Sequence, residues 1–451
     1  MQFLWYGCVG QECAARTTKY WDGNRMENIT QAQTIESVAC PFCGLLCDDL
    51  TIDRDSSGNL KVSKNGCAKS VTFFGRNPAP STPRIQGQPA SMADAVRRAA
   101  EILGKASHPL ISGLGTEVQG MRAAMSLADK ACAAVDHMNS NGFMRNILVV
   151  QNSGWQITTL TEVRNRVDLL VVVGTDVVST FPRFFERLIW NKDSMFGQDT
   201  TQREVVYLGG RDIDTTPGIA PDGRRPDVMP CDMERTPEVL AALRALVSGK
   251  KLAATDVAGI AMSDLAHLAD RLKAAKYSVI TWAAGALDFP HAELAVQQMA
   301  ELIKTLNLTT RASGLPLGGI EGDMNANQVS AWISGYPMRS SYARGFPEHD
   351  PYHFATEHML DSGEADALLW VSSFNPACLP PQSGLPSVVL GHPDMQLAEE
   401  PEVFIPVATP GVDHGGVMFR TDNVVSLPLA QLRAGQHQTL GAVLTAIEQA
   451  L

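Results

Sequence analysis

The sequence predicts an α/β protein: a small N-terminal cysteine-rich β domain followed by two doubly wound, Rossmann-like parallel-sheet domains. Three observations carry this. Four cysteines fall between Cys40 and Cys67 among short strands and turns. All-apolar, largely β-branched runs recur down the chain and end in glycine or another small residue, as strands buried on both faces do. Between them lie segments of helical period, so strand and helix alternate through two successive units.

Residues 1–33 are polar, mixed and aperiodic, and are assigned to no domain. The cysteine-rich domain spans 34–90. Within it, SVACPFCGLLCDDLTIDRDSSGNLKVSKNGCAKS reads as a cysteine knuckle, a strand at Leu50–Ile52, a Ser-Ser-Gly-Asn turn, a strand at Leu60–Val62 and a second knuckle. The Pro-, Gly- and Gln-rich stretch 76–92 reads as a linker.

The first αβ domain is placed at 91–260. Ser91 is a suitable N-cap for the helix ADAVRRAAEIL. Pro109–Ser112 is a strand running into a glycine-rich turn, and Gln119–Ala134 a helix with Cys132 on its apolar face. Leu169–Val173 and Val205–Leu208 are buried strands, and Pro237–Leu246 is a helix. The second αβ domain is placed at 261–451. It holds a strand at Tyr277–Trp282, a helix at His291–Leu306, and strands at Ala367–Val371 and Ser387–Leu390. Ligands of such sheets sit beyond the carboxyl ends of the strands. Those ends are Gly113–Thr116, Gly174–Asp176, Gly209–Asp212, Ala283–Gly285 and Ser372–Asn375. None carries a dinucleotide or Walker fingerprint.

Composition narrows the function classes. With 37 basic against 48 acidic residues the chain carries −11, which argues against a general nucleic-acid partner. No run of apolar residues is long enough for a membrane span. The N-terminus has no positive region before its apolar start, so no signal peptide is expected. Nine cysteines, an odd number with four clustered, point to a reducing, cytoplasmic setting and a metal site.

Cys40-x2-Cys43-x3-Cys47 followed by Cys67 is the sharpest chemical signal. Four soft thiolates suit a 4Fe-4S cluster or zinc, or stand as empty structural thiols. Three ligands from one loop and one from afar fit a cubane better than a two-halved zinc ribbon. Gly44 and Gly66 flank ligands where the backbone must bend to aim amides at sulfur. Cys8 and Cys13 could form a metal pair, while Cys231 and Cys378 stand alone. His349, His353 and His358 share the stretch HDPYHFATEH, which is either a hydrated loop or a metal site. No G-x-S-x-G elbow anchors a hydrolase triad.

Read with the doubled αβ pattern, this knuckle resembles the molybdopterin oxidoreductases. CPFCGLLCDDL resembles the opening of the B subunit of formylmethanofuran dehydrogenase. TTLTEVRNRVDLLVVVG, WISGYPMRSSYARGFPEHDP and FIPVATPGVDHGGVMFRTDNV resemble later segments of the same polypeptide, in the same order, across roughly residues 37–425. The resemblance implies a metal–pterin site whose protein ligand is a cysteine or selenocysteine. Here Thr116 stands at that position. Asn141-Gly142-Phe143 replaces the family's His-Gly-Pro. Gly174, Asp176 and Arg183 fall where the family cradles a pterin nucleotide, with Asp176 and Phe181 as departures.

These losses imply a structural pseudoenzyme lacking tungsto- or molybdopterin. Its setting would be the formyltransferase/hydrolase complex that such subunits form in tetrahydromethanopterin-linked one-carbon metabolism, with formate as product. The partners implied are a zinc hydrolase A-type subunit and C-type and D-type formyltransferase subunits, with neither nucleic acid nor membrane. The alternative is an active tungsten or molybdenum formylmethanofuran dehydrogenase with an oxygen-ligated metal. If the metal–pterin is gone, Phe143, Phe181 and Met144 are expected to point into its crevice and narrow it, because an apolar void costs roughly 24 cal/mol per Å3.

Overall fold

The computed structural model describes residues 31–451. The proposed Cys8–Cys13 pair therefore lies outside the described residues. Three sheets organise the chain. The first is a three-stranded antiparallel meander of Gln33–Val38, Leu50–Arg54 and Leu60–Lys64. Ile52 at its centre faces Ile35 on one side and Val62 on the other, which puts the apolar side of the meander on the rest of the protein.

The second sheet has five strands, all parallel. Its order is Asp227–Met229, Glu204–Leu208, Leu169–Val173, Ser278–Ala283 and Ala312–Leu317. Leu169–Val173 is buried along its whole length, as its uninterrupted apolar run requires. The third sheet has nine strands. Its parallel centre runs Ala134–Val135, Pro109–Gly115, Ala367–Ser372, Ser387–Gly391 and Val403–Pro406. Short antiparallel strands close both of its edges.

This pairing corrects the expected domain boundary at 260/261. The strand Pro109–Gly115 pairs with Ala367–Ser372, so one sheet takes residues from both proposed domains. The chain enters the nine-stranded sheet, leaves to build the five-stranded one, and returns. Sequence patterning reports that βα units follow one another. It does not say which sheet each strand joins, because every buried strand presents the same apolar code.

Two local readings are also corrected. The stretch 76–92 is no mere linker: Arg84–Ile85 and Gln88–Pro89 form a hairpin paired to Val403–Pro406. Gln86 and Gly87, both at positive φ, make its two-residue turn. Arg84 holds the hairpin down by stacking over Phe404 and pairing with Glu400. Cys132 is not on a buried helix face. The helix ends at Lys130, and Cys132 is exposed at φ +54 in the turn beyond it. Ser91 does cap its helix, Met92–Lys105, by accepting from the Asp94 amide. Among the described residues, no helix is long and apolar enough to cross a membrane.

Candidate functional site: a cysteine loop beside an interdomain cleft

The residues Cys40–Cys47 form a tight loop closed by the Cys40 N–H donating to the Cys47 carbonyl at 2.9 Å. The Phe42 and Leu45 amides point at the Cys40 and Cys43 sulfurs. Cys67 comes from the second knuckle as the N-cap of the helix Ala68–Phe74, its sulfur accepting from the Ser70 amide at 3.5 Å. The four thiols of the sequence motif thus converge, and all but Cys67 are buried. Burial pushes the Cys43 thiol up to about 12, with Cys47 adding to the rise. Burial also raises Cys40 well above the ordinary thiol range. It lifts Cys47 too, against the Arg187 guanidinium beside it, which favours the thiolate.

A second row of cations backs the loop. Arg183 donates to both carboxylate oxygens of Asp49, at 2.7 and 2.8 Å, and also to Glu186. Arg187 pairs with Asp48. These arginines tie the five-stranded-sheet domain to the cysteine loop and place positive charge on the thiol side. Asp49 works against them at Cys47, so the paired carboxylates offset part of that charge.

Under the loop lies the other half of the site. Gly44 packs so closely that a Cβ there would sit 1.9 Å from the Gly318 carbonyl oxygen. The Thr421 amide donates to the Gly44 carbonyl, and the Gly318 amide to the Thr421 hydroxyl, each at 2.8 Å. Gly318 in turn lines a cleft of about 790 Å3. Its walls are the helices Ser140–Ser153 and Asp323–Ser334 and the turn Ala283–Ala286. Of the five strand ends expected to hold ligand, only Ala283–Gly285 contributes.

Phe143 lines this cleft, but Phe181 and Met144 do not. Phe181 is fully buried in the core beneath the cysteine loop, and Met144 in the core of the nine-stranded-sheet domain. The expectation that all three fill the crevice is therefore corrected. Met144 leaves the helix about a hundred degrees from Phe143, on the side that packs into that core.

Thr116 is sealed away from the cleft. It is fully buried, its hydroxyl has no hydrogen-bond partner, and it sits against Gly120, where a Cβ would come within 2.3 Å of it. Its own carbonyl accepts from the Asn325 side chain at 3.0 Å. A buried hydroxyl with no partner costs about 1–3 kcal/mol. Thr116→Val, equal in shape, is accordingly expected to raise stability by about 1 kcal/mol, read as an increase in the urea midpoint. A fall in that midpoint would show that the hydroxyl holds something.

The three cradle residues do not form a cradle. Asp176 is turned back onto Ser179, accepting from its amide and hydroxyl. Arg183 is committed to Asp49 and Glu186. Gly174 faces Met233 and Leu287. With Thr116 turned away and these groups engaged elsewhere, the residues present do not fit a metal–pterin.

Sequence reading missed the acidic floor of the site. Asp323 lines the cleft at 5% exposure, accepting from the Gly319 amide, and burial raises its carboxyl to about 7. Burial raises Glu321 to about 7 as well. His137, also buried, accepts from the Asn139 amide through Nδ1 and donates through Nε2 to the Glu321 carbonyl. Its imidazole is pushed down to about 4 by burial. The pattern G-x-x-G-D at Gly319–Asp323 would have signalled a carboxylate in a turn, though not its burial.

The known relatives fit this geometry. No family model matches the chain. Over 409 residues it is 26% identical to the B subunit of the tungsten-containing formylmethanofuran dehydrogenase 2 of Methanocaldococcus jannaschii, covering 87% of this chain and 92% of that one. The B subunit of the formyltransferase/hydrolase complex Fhc of Methylorubrum extorquens is 29% identical over 338 residues, covering 74% of this chain and 87% of that one.

Among solved structures, a chain of the formyltransferase/hydrolase complex from Methylorubrum extorquens, in complex with methylofuran, superposes with a TM-score of 0.69. It is 27% identical, with 82% of this chain and 98% of that chain covered. Acetylene hydratase from Pelobacter acetylenicus, 11% identical at a TM-score of 0.60 over 92% of this chain and 70% of its own, shares the fold alone. The mixed α/β architecture with parallel sheets is thus that of these structures, and the chain is a homologue of the B subunits of formylmethanofuran dehydrogenase and of the formyltransferase/hydrolase complex.

Proposed function

We propose that this chain is the B subunit of a formyltransferase/hydrolase complex. In that role it scaffolds formyl transfer and hydrolysis to formate in tetrahydromethanopterin-linked one-carbon metabolism and performs no redox step itself. The observation that carries this is Thr116. The family's metal ligand is replaced by a neutral hydroxyl that is buried against Gly120 and does not reach the cleft. A hydroxyl is a poor substitute for thiolate on a soft metal, and here it is also buried away from the cleft. Its partners are a zinc hydrolase A-type subunit and C-type and D-type formyltransferase subunits, and its place is the cytoplasm.

The four cysteines hold a 4Fe-4S cluster in this reading. Three ligands from one loop and one from afar fit a cubane better than a two-halved zinc ribbon. The aimed amides and the Arg187 and Lys69 charges suit an anionic cluster.

The test is affinity purification of the chain from its native host with metal analysis of the same sample. Hydrolase and formyltransferase subunits are expected to co-purify, iron and sulfide to be present, and tungsten and molybdenum to be absent. Formylmethanofuran-dependent reduction of a viologen dye, with stoichiometric tungsten or molybdenum, would establish the dehydrogenase reading instead. The open cleft is the feature that reading would rest on.

A further inference from the structure

The stretch HDPYHFATEH and the turn after it gather a second donor set, far in kind from the cysteine loop. His353 Nε2 lies 3.1 Å from Glu364 Oε2. The His353 and His358 rings are 5.6 Å apart between centroids. One donor atom from each of His353, His358 and Glu364 falls within 4.8 Å of the other two, the only such trio among the described residues. We propose that His353, His358 and Glu364 bind a divalent cation of the zinc class, with water completing its shell.

Two imidazoles and one carboxylate are a borderline-soft donor set of the kind zinc takes. Ligand atoms about 2.0–2.1 Å from a tetrahedral zinc stand roughly 3.3 Å apart. The His353–Glu364 separation is already near that value, so closing the site needs only a swing of the exposed His358 side chain.

The backbone beneath is fixed. Each donor adjoins a residue of one small core: His353 next to Phe354, His358 next to Met359, Glu364 next to Ala365. The His353 amide donates to Asp350, and the Glu364 and Ala365 amides both donate to the Met359 carbonyl. The backbone that carries the donors is therefore fixed before any ion arrives, which limits the ordering cost of binding to the side chains.

His349 is excluded from the site. Its Nδ1 faces the Arg339 carbonyl at 2.9 Å, and its ring stacks on Tyr336. Of the three histidines in this stretch, His353 and His358 therefore supply the pair, and Glu364 the third donor. The helix Thr356–Asp361 also carries Glu357, which accepts from Asn141 on the cleft wall. A cation here would staple the loop before this helix to the turn after it, at the rim of the cleft.

The experiment equilibrates the full chain with zinc sulfate and measures bound zinc after dialysis, against His353→Ala/His358→Ala and Glu364→Gln variants. The readout is a difference, so zinc held by the cysteines cancels. Wild type is expected to retain one zinc more per chain than the double variant and to show a zinc-dependent rise in melting temperature that both variants lack. Equal zinc in wild type and the folded double variant, or an identical melting shift in Glu364→Gln, would overturn the proposal. Because the altered side chains are exposed or half-buried, the variants are expected to fold, which their metal-free melting curves check.

Discussion

Gly44→Ala is expected to cost about 3 kcal/mol or more, at the upper end of overpacking penalties. The added methyl would lie 1.9 Å from the Gly318 carbonyl oxygen and 3.0 Å from the Gly319 Cα. Both are backbone atoms and cannot swing aside. Gly319 is held in turn, since a Cβ on it would meet the Gly44 Cα at 2.5 Å, and its φ of +84 suits glycine. The loop must therefore lift, breaking the Thr421–Gly44 bond and shifting three of the four thiols together. The expected result is a large fall in the urea midpoint, with iron incorporation reduced in parallel. Gly249→Ala is the control. It also alters a glycine, at φ +75, but meets nothing within 4 Å. It should cost only the left-handed backbone penalty of about 1–2 kcal/mol and leave iron content unchanged. Equal midpoints for Gly44→Ala and wild type would mean that the cysteine loop does not sit on the cleft floor.

The contrast between these glycines shows what was legible in the chain and what was not. The cysteine spacing announced its own loop, because ligands close in sequence need only a local bend. Leu169–Val173 and Ser278–Ala283 announced themselves as buried strands through their apolar runs. The contact of Gly44 with Gly318, by contrast, joins residues far apart in sequence, and a glycine chosen for close approach looks like any loop glycine. Thr116 was legible as a substitution at a family position. That its hydroxyl is sealed behind Gly120 depends on a helix packing distance that no spacing encodes. The same holds for Phe181, whose size suggested cleft filling but whose backbone directs it under the cysteine loop. Asp323 and His137 read as ordinary polar residues in turns. Their altered acidities come from burial, which exists only once the two sheets and the meander have closed over them.

Asp323→Asn is expected to stabilise the protein above neutral pH by about 4 kcal/mol relative to wild type, and to leave it unchanged below about pH 4. Burial raises the Asp323 carboxyl from 3.8 to about 7, even though the Gly319, Ile320 and Met324 amides favour the charged form. A carboxyl with a raised pKa binds its proton more tightly folded than unfolded. Its stability contribution is therefore full below its unfolded value near 4, and is lost as the pH climbs through 7. The amide of asparagine reproduces the protonated acid's pattern of one acceptor and one donor group, and it never ionises. The variant minus wild-type difference should thus be flat below pH 4, climb between 4 and 7, and level off above. His137 and His392, both pushed down to about 4 by burial, act the other way. They are neutral when folded, so their contribution is full above the unfolded value of 6.5 and is lost as the pH falls towards 4. The total profile mixes the two groups, and only the difference curve isolates Asp323. Urea unfolding of both proteins at pH 4, 5.5, 7 and 8.5 gives that curve. A difference that falls with rising pH would mean that Asp323 is charged and paired in the folded cleft, with a cation supplied by a partner or ligand.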